Sequence, residues 1–89
     1  MSYKYRVPAS FKKRASKKPR EMQKMIADCI MKLAADPKDP KLKVHKMSGL
    51  KGVWEAYVDN DGNRVTFEWD GSTIVLRNNC NHDMLYRNP

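Results

Sequence analysis

Four residues of this 89-residue chain have side chains suited to acid–base chemistry on a phosphate ester: His45, Arg64, His82 and Tyr86. Histidine transfers protons near neutral pH because its unperturbed pKa lies at about 6.5. Arginine is permanently charged and can donate two hydrogen bonds to a phosphate. A tyrosine ring can stack on an unpaired base, which typically contributes about 1–3 kcal/mol. This set would suffice for cleaving RNA without a metal, where a base, an acid and a fixed cation are needed.

Three of these residues also have ordinary structural interpretations. His45 stands in a lysine-rich stretch and could be a solvated loop residue. His82 could be a surface histidine in a polar tail, and Tyr86 could be the apolar anchor of that tail. The sequence leaves these alternatives open.

Two arginines in predicted strands are the candidate phosphate contacts. Arg64 begins the middle of three consecutive strands, and its alternative role is a salt bridge to Glu55 or to Glu68. Arg77 ends the last strand and is either a second phosphate contact or part of a structural pair.

A metal site has to be considered because the chain holds two cysteines and two histidines. Their positions, Cys29, His45, Cys80 and His82, match no zinc-binding spacing, and Cys29 lies on the apolar face of a predicted helix. We therefore predict no metal and no other cofactor. Residues 1–20 contain no apolar block of signal-peptide length, and no apolar run approaches the ~18 residues of a membrane span. We expect a cytoplasmic protein with reduced cysteines.

Positive charge is concentrated in the first part of the chain. The 18 Lys and Arg residues outnumber the 10 Asp and Glu residues, for a net charge of +8. Such a surface usually binds nucleic acid, although a solvated lysine-rich face or an anionic membrane is the alternative. We predict that the RNA-binding residues are Lys12, Lys13, Arg14, Lys17, Lys18, Arg20, Lys43, Lys46 and Arg77.

Hydrophobic periodicity predicts the elements that must position these residues. They are a strand over 3–7, helices over 8–17 and 19–35, a basic loop over 41–52, and strands over 53–58, 64–69 and 73–78. Turns as short as those at 59–62 and 70–71 require antiparallel neighbours. The prediction is one α+β domain over 1–89, with two N-terminal helices packed on an antiparallel sheet in the order β-α-α-β-β-β.

The same periodicity predicts which faces are buried. The first strand should bury Tyr3, Tyr5 and Val7, and the first helix should lie on the surface because its apolar content is thin. The middle strand should direct Val65, Phe67 and Trp69 to the helices, and Arg64, Thr66 and Glu68 to solvent or a cleft. The second helix has a stripe that we assign to the core, or alternatively to a partner-binding face: Met22, Met25, Ile26, Cys29, Ile30 and Leu33.

Three stretches of the second half carry a family resemblance. They are His-Lys-Met-Ser-Gly at 45–49 leading to Gly-Val-Trp-Glu-Ala-Tyr at 52–57, Asn-Arg-Val-Thr-Phe at 63–67, and His-Asp-Met-Leu-Tyr at 82–86. With the Asp-Pro pairs after the second helix, they resemble the RelE/ParE superfamily of toxins from type II toxin–antitoxin systems. The RelE- and YafQ-like branches are nearest, which implies a RelE-like fold.

The resemblance also implies an activity, namely metal-independent endonuclease cleavage of messenger RNA on the ribosome. By position, Arg64 would hold the scissile phosphate, His82 would transfer a proton, and Tyr86 would complete the site. His45 corresponds to a histidine that YafQ-like toxins carry ahead of the Gly-x-Trp strand. Those toxins have a second histidine after that strand, which this chain lacks. The identity of the general base therefore stays open.

The resemblance further implies three partners: a cognate antitoxin, ribosomal RNA docked on the basic cluster over 12–20, and the messenger RNA. Two rival functions remain. One is inhibition of DNA gyrase, as in the ParE branch, and the other is an inactive family member that only binds its antitoxin or RNA.

Overall fold

A computed structural model describes residues 3–47, 49, 51–60 and 62–81, the last two by their backbone alone. In chain order its elements are β1 (Lys4–Arg6), α1 (Ala9–Ser16), α2 (Arg20–Ala35), β2 (His45–Lys46), β3 (Trp54–Tyr57), β4 (Asn63–Asp70) and β5 (Thr73–Asn81). The fold consists of two helices packed on a five-stranded, mostly antiparallel sheet. The predicted α+β class is therefore confirmed. No helix in the described part of the chain has the length and apolar character needed to cross a membrane.

The sheet has the strand order β1-β5-β4-β3-β2. β1 runs parallel to β5, and the other neighbours are antiparallel. The prediction of an uninterrupted loop over 41–52 is wrong, because His45 and Lys46 form β2 against β3. The amide of Met47 closes this pairing by donating to the carbonyl of Val53 at 2.9 Å. A strand of two residues is too short to show alternation, so periodicity could not reveal it.

A bulge interrupts the pairing of β4 with β5. Thr66 faces Asn78, whereas the next residue, Phe67, faces Leu76, so Arg77 is an extra residue on β5. β5 also extends past its predicted end at residue 78, because residues 79–81 pair with the first three residues of β4. Asn79 donates from Nδ2 to the carbonyl of Phe11 at 3.2 Å.

The core lies between α2 and the sheet. The stripe predicted on α2 is confirmed for Ile26, Cys29, Ile30 and Leu33, which are buried. Met25 departs from the prediction and is exposed. Burying one large apolar side chain stabilises the fold by roughly 1.5–3 kcal/mol, so this stripe is a principal reason that α2 forms where it does.

The prediction for β1 is wrong in part, whereas α1 lies on the surface as predicted, with its residues exposed apart from Phe11 and Ala15. Tyr3 and Tyr5 are 42% and 44% exposed, because β1 is an edge strand that the helices cover incompletely. Phe11 on α1, in contrast, is buried, because α1 packs over β5 beyond the end of β1. A single apolar residue is enough to fasten this thinly apolar helix to the core.

Candidate active site

A row of side chains crosses the sheet on the face that points away from the helices. Cross-strand pairing aligns His45 on β2, Glu55 on β3 and Thr66 on β4. Arg64, two residues from Thr66, lies on the same face and is paired with Tyr57. This placement follows from strand geometry, since alternate residues point to opposite faces. The prediction that one face of β4 packs against the helices is confirmed for Val65 and Phe67, which belong to the core.

Glu55 lies at the centre of this row and is almost completely buried, with 1% of its side chain exposed. Its Oε1 lies 3.2 Å from Nε2 of His45 and 3.8 Å from Nε of Arg64. A buried carboxylate is costly unless cations and hydrogen-bond donors surround it. Glu55 therefore links the histidine and the arginine into one electrostatic unit.

Arg64 is held in one position from several sides. Its Nη1 donates to the carbonyl oxygens of Asp59 and Asn63, both at 2.9 Å. Its guanidinium carbon lies 3.4 Å from the centre of the Tyr57 ring, which is a stacked cation–π arrangement. The alternative of a salt bridge to Glu55 is thus realised, and the arginine is fixed before any ligand arrives.

His45 is the solvent-facing member of the unit, with 45% of its side chain exposed. Its Nδ1 lies 2.7 Å from the carbonyl oxygen of Lys43, which can only accept a hydrogen bond. Nε2 is directed at Oε1 of Glu55, so both ring nitrogens face oxygen atoms. Lys43 has a φ of 48°, a left-handed backbone conformation that residues other than glycine adopt at a cost of about 1–2 kcal/mol. That conformation presents the carbonyl to the imidazole.

One of the predicted RNA-binding lysines lies beside the unit, and another lies on the other face of the sheet. Lys43 is exposed, and its Nζ lies 5.2 Å from the centre of the Tyr57 ring, so it adds positive charge beside His45. Lys46 pairs with Trp54, and its Nζ lies 5.3 Å from the centre of that ring. Because Trp54 pairs with the core residue Phe67, Lys46 lies on the face opposite His45 and Glu55.

The remaining predicted basic residues lie elsewhere. Arg77 forms a hydrogen-bonded ion pair with Glu68 and lines a separate cavity next to α1. Arg14 donates from Nη1 to Oδ1 of Asn78 at 2.9 Å and borders the same cavity. The other basic residues of the N-terminal cluster lie on α1, on the turn after it and at the start of α2, and all but the half-buried Lys18 are exposed: Lys12, Lys13, Lys17, Lys18 and Arg20.

His82 and Tyr86 lie outside the described residues, so their position relative to this unit stays a prediction. Sequence reasoning brought His45 and Arg64 into one site, and the structure places both of them against Glu55. It assigned Glu55 only as a salt-bridge partner and did not single out Tyr57. The signal for Glu55 was an acidic residue inside a predicted strand between apolar neighbours, a position that requires a cationic partner.

Cys29 does not take part in this chemistry. Burial raises the pKa of its thiol to about 12, so the thiol stays protonated and is a poor nucleophile and metal ligand. In the described ranges, no group of three or more His, Cys, Asp or Glu side chains is arranged to hold a metal ion.

Comparison with known proteins places the fold. No protein-family model and no curated protein matches the sequence. Among solved structures, the chain is similar to the RelBE2 toxin–antitoxin complex of Mycobacterium tuberculosis, with 15% identity, a TM-score of 0.74, and 91% of this chain and 99% of that chain covered. The chain is also similar to the archaeal RelE–RelB complex from Pyrococcus horikoshii, with 17% identity, a TM-score of 0.71, and 92% of this chain and 97% of that chain covered. A third similar structure is the Escherichia coli DinJ–YafQ complex, with 15% identity, a TM-score of 0.66, and 97% of this chain and 99% of that chain covered.

The fold is therefore that of small RelE-like toxins. The predicted RelE-like architecture is confirmed, since similar chains are covered almost completely. At such identities the similarity establishes the fold alone.

Proposed function

We propose that this chain is the toxin of a type II toxin–antitoxin pair and an endoribonuclease that cuts messenger RNA on the ribosome, in the cytoplasm. The observation that carries the proposal is the unit of His45, Glu55 and Arg64. It sets an exposed imidazole and a largely buried guanidinium, 8% exposed, against one carboxylate on the same face of the sheet. A proton-transfer group next to a phosphate-binding cation is the minimum that metal-independent RNA cleavage requires.

The reaction begins with attack of the ribose 2′-hydroxyl on the adjacent phosphorus. The new P–O2′ bond forms as the P–O5′ bond breaks, giving a 2′,3′-cyclic phosphate and a free 5′-hydroxyl. A base removes the proton of the 2′-hydroxyl, and an acid protonates the departing 5′-oxygen. Arg64 offsets the charge that develops on the phosphate. His45 and His82 share the two proton transfers, and Tyr86 stacks on a base or orients the 2′-hydroxyl.

Glu55 supports His45 in this scheme. Nδ1 contacts the Lys43 carbonyl and Nε2 faces Glu55, so the ring keeps one orientation and both of its nitrogens are engaged within the protein. Proton transfer between His45 and RNA therefore requires one of these two contacts to open. Holding the ring in place until then reduces the ordering that the reaction step requires.

Basic residues extend the proposed RNA contacts. Lys43 borders the site and is placed to contact the messenger backbone, whereas Lys46 would contact RNA from the other face of the sheet. The exposed basic face of α1 and the turn after it would dock on ribosomal RNA, with Arg14 and Arg77 at its margin. Counterion release from RNA would drive this binding.

An acidic antitoxin is the proposed protein partner. A net charge of +8 favours an acidic protein that covers the basic surface. The solved structures with this fold include RelE–RelB and DinJ–YafQ complexes, which supports such a partner.

The test is cleavage mapping on translating ribosomes with purified protein. We expect the parent to cut messenger RNA only when ribosomes are present, and Arg64→Lys to cut on the order of 10²–10³ more slowly. His45→Ala, His82→Ala and Tyr86→Ala should each be slower than the parent. Lys32→Ala, which removes an exposed charge on α2, is the control and should cut normally. Intact messenger RNA together with gyrase trapped on DNA would overturn the proposal.

A further inference from the structure

The backbone of Lys43 is strained beside the proposed site. In the part of the chain that the structure describes, Lys43 is the one residue other than glycine whose φ lies in the left-handed region. Glycine adopts this conformation without strain, so lysine at this position costs stability that glycine would keep. Strained residues of this kind cluster at functional sites. The strain therefore indicates a role for the Lys43 side chain beyond that of a turn.

The segment around Lys43 is anchored on both sides. Leu42 is buried, and its carbonyl oxygen accepts a hydrogen bond from the amide of Tyr57 at 2.7 Å. His45 begins β2, which pairs with β3. Lys43 thus has a fixed backbone position next to His45, and its long side chain is the part that can move.

The ring of Tyr57 brings three groups of the site together. The Nζ of Lys43 lies 5.2 Å from the ring centre, and the guanidinium carbon of Arg64 lies 3.4 Å from it. The centre of the His45 ring is 6.3 Å away. The ammonium of Lys43 therefore lies in the same part of the site as a proton-transfer group and a buried cation.

Lys43 and Arg64 differ in what they can offer to a ligand. The Nη1 of Arg64 donates to two backbone carbonyl oxygens, and only 8% of the side chain is exposed. Lys43 is exposed, and no carboxylate among the described residues forms a salt bridge with it. A cation–π contact at an exposed position is weak, so a phosphate can replace the Tyr57 ring as the partner of this ammonium. Arg64 therefore acts on a phosphate mainly through its charge, whereas Lys43 can donate to it directly.

We propose that Lys43 is a further catalytic residue of the nuclease proposed above, on which this inference rests. Its ammonium donates to a non-bridging oxygen of the scissile phosphate. As the 2′-oxygen attacks and the 5′-oxygen leaves, negative charge grows on the non-bridging oxygens, and the ammonium offsets it. Lys43 keeps its proton throughout, so both proton transfers stay with the histidines. The carbonyl of the same residue keeps His45 oriented beside the phosphate.

The first experiment is single-turnover cleavage of messenger RNA on translating ribosomes, with the protein in excess. Lys43→Gln removes the charge and keeps the carbonyl that contacts His45, and we expect its maximal rate to fall on the order of 10²–10³. Lys43→Arg keeps the charge and should recover most of this loss. The matched control is Lys41→Gln, which removes the same charge where the side chain borders a cavity on α2, and it should reach the parent's maximal rate. Equal maximal rates for Lys43→Gln and Lys41→Gln would overturn the inference.

A glycine variant separates catalysis from backbone strain. Lys43→Gly removes the ammonium and relieves the left-handed strain, so its Tm should equal or exceed that of the parent. We expect this folded variant to cut as slowly as Lys43→Gln. Cleavage by Lys43→Gly at the rate of the parent would show that residue 43 serves the turn alone.

Sulfur substitution in the RNA tests for direct contact with the phosphate. Each of the two phosphorothioate diastereomers at the scissile position replaces one non-bridging oxygen by sulfur, a weaker hydrogen-bond acceptor. We expect the parent and Lys41→Gln to cut one diastereomer more slowly than the other, and Lys43→Gln to show a much smaller difference. The comparison couples protein to substrate as a double-mutant cycle does. An undiminished difference in Lys43→Gln would contradict the contact.

Two results distinguish this inference from the proposed function. Intact messenger RNA after incubation of the parent with translating ribosomes contradicts the nuclease, and the role of Lys43 is overturned with it. Cleavage by the parent together with full activity of Lys43→Gln and Lys43→Gly contradicts the role of Lys43 alone.

Discussion

Replacing Glu55 by glutamine tests whether the buried carboxylate holds the site together. The Oε1 of Glu55 lies 3.8 Å from Nε of Arg64, a separation at which two unit charges attract by about 4 kcal/mol at an effective dielectric constant near 20. Part of this attraction offsets the cost of burying the two charges. Removing one member of a buried pair typically costs about 3–5 kcal/mol, because the other charge stays buried.

Glutamine keeps the shape of the side chain and one acceptor oxygen, so we expect a loss of about 2–3 kcal/mol in the free energy of unfolding. For a domain of this size, that lowers Tm by roughly 10–20 °C. The matched control is Glu68→Gln, which breaks the half-exposed pair with Arg77 on the same sheet. Exposed pairs contribute at most about 1 kcal/mol, so Tm of this control should fall by only a few degrees.

The assay is thermal unfolding followed by circular dichroism, with the double variant Glu55→Gln/Arg64→Gln completing a cycle. If Glu55 acts through Arg64, the double variant is less destabilised than the two single losses added together. Equal and small changes of Tm for Glu55→Gln and Glu68→Gln would refute the reasoning, and so would strict additivity in the cycle.

Three other outcomes are expected. In a Cys80→Ser background, Cys29 should resist a thiol reagent at pH 8 until urea is added. Because burial raises the pKa of the Cys29 thiol to about 12, this group stabilises the fold fully below about pH 9, and the stabilisation is lost as the pH rises toward 12. Fast labelling of folded protein would contradict this. Leu33→Ala should cost about 2–5 kcal/mol in denaturant unfolding, because the side chain is completely buried. Lys17→Gln with Lys18→Gln should flatten the salt dependence of ribosome binding by up to about two units of slope, and an unchanged slope would show that this face does not touch RNA.

The sequence predicted the elements whose residues repeat often enough to reveal a period. The stripe of α2 and the alternation of β4 fixed the two layers and directed Val65 and Phe67 to the core. The short strand β2 was not predicted, because it has only two residues and its pairing depends on a backbone hydrogen bond between Met47 and Val53. The exposure of Tyr5 was not predicted either, since alternation of apolar and polar residues does not distinguish an edge strand from a central one.

The candidate site was predicted in part. Residue chemistry and the family resemblance selected His45 and Arg64, and the structure links them through Glu55. The cross-strand register that makes this link follows from β2, which the sequence did not reveal. The stacking of Arg64 on Tyr57 depends on that register and on the turn at Asp59, so it could not be predicted from the sequence either.

The position of β5 has a consequence for the synthesis of this protein. β5 comes after the other four strands in the chain, yet it lies between β1 and β4 in the sheet. The helix α1 also packs on it. A nascent chain that has emerged only as far as Gly71 lacks the strand with which β1 pairs and on which α1 mainly packs. We expect the growing polypeptide to stay unfolded in its N-terminal third until late in translation, when the sheet closes in one cooperative step.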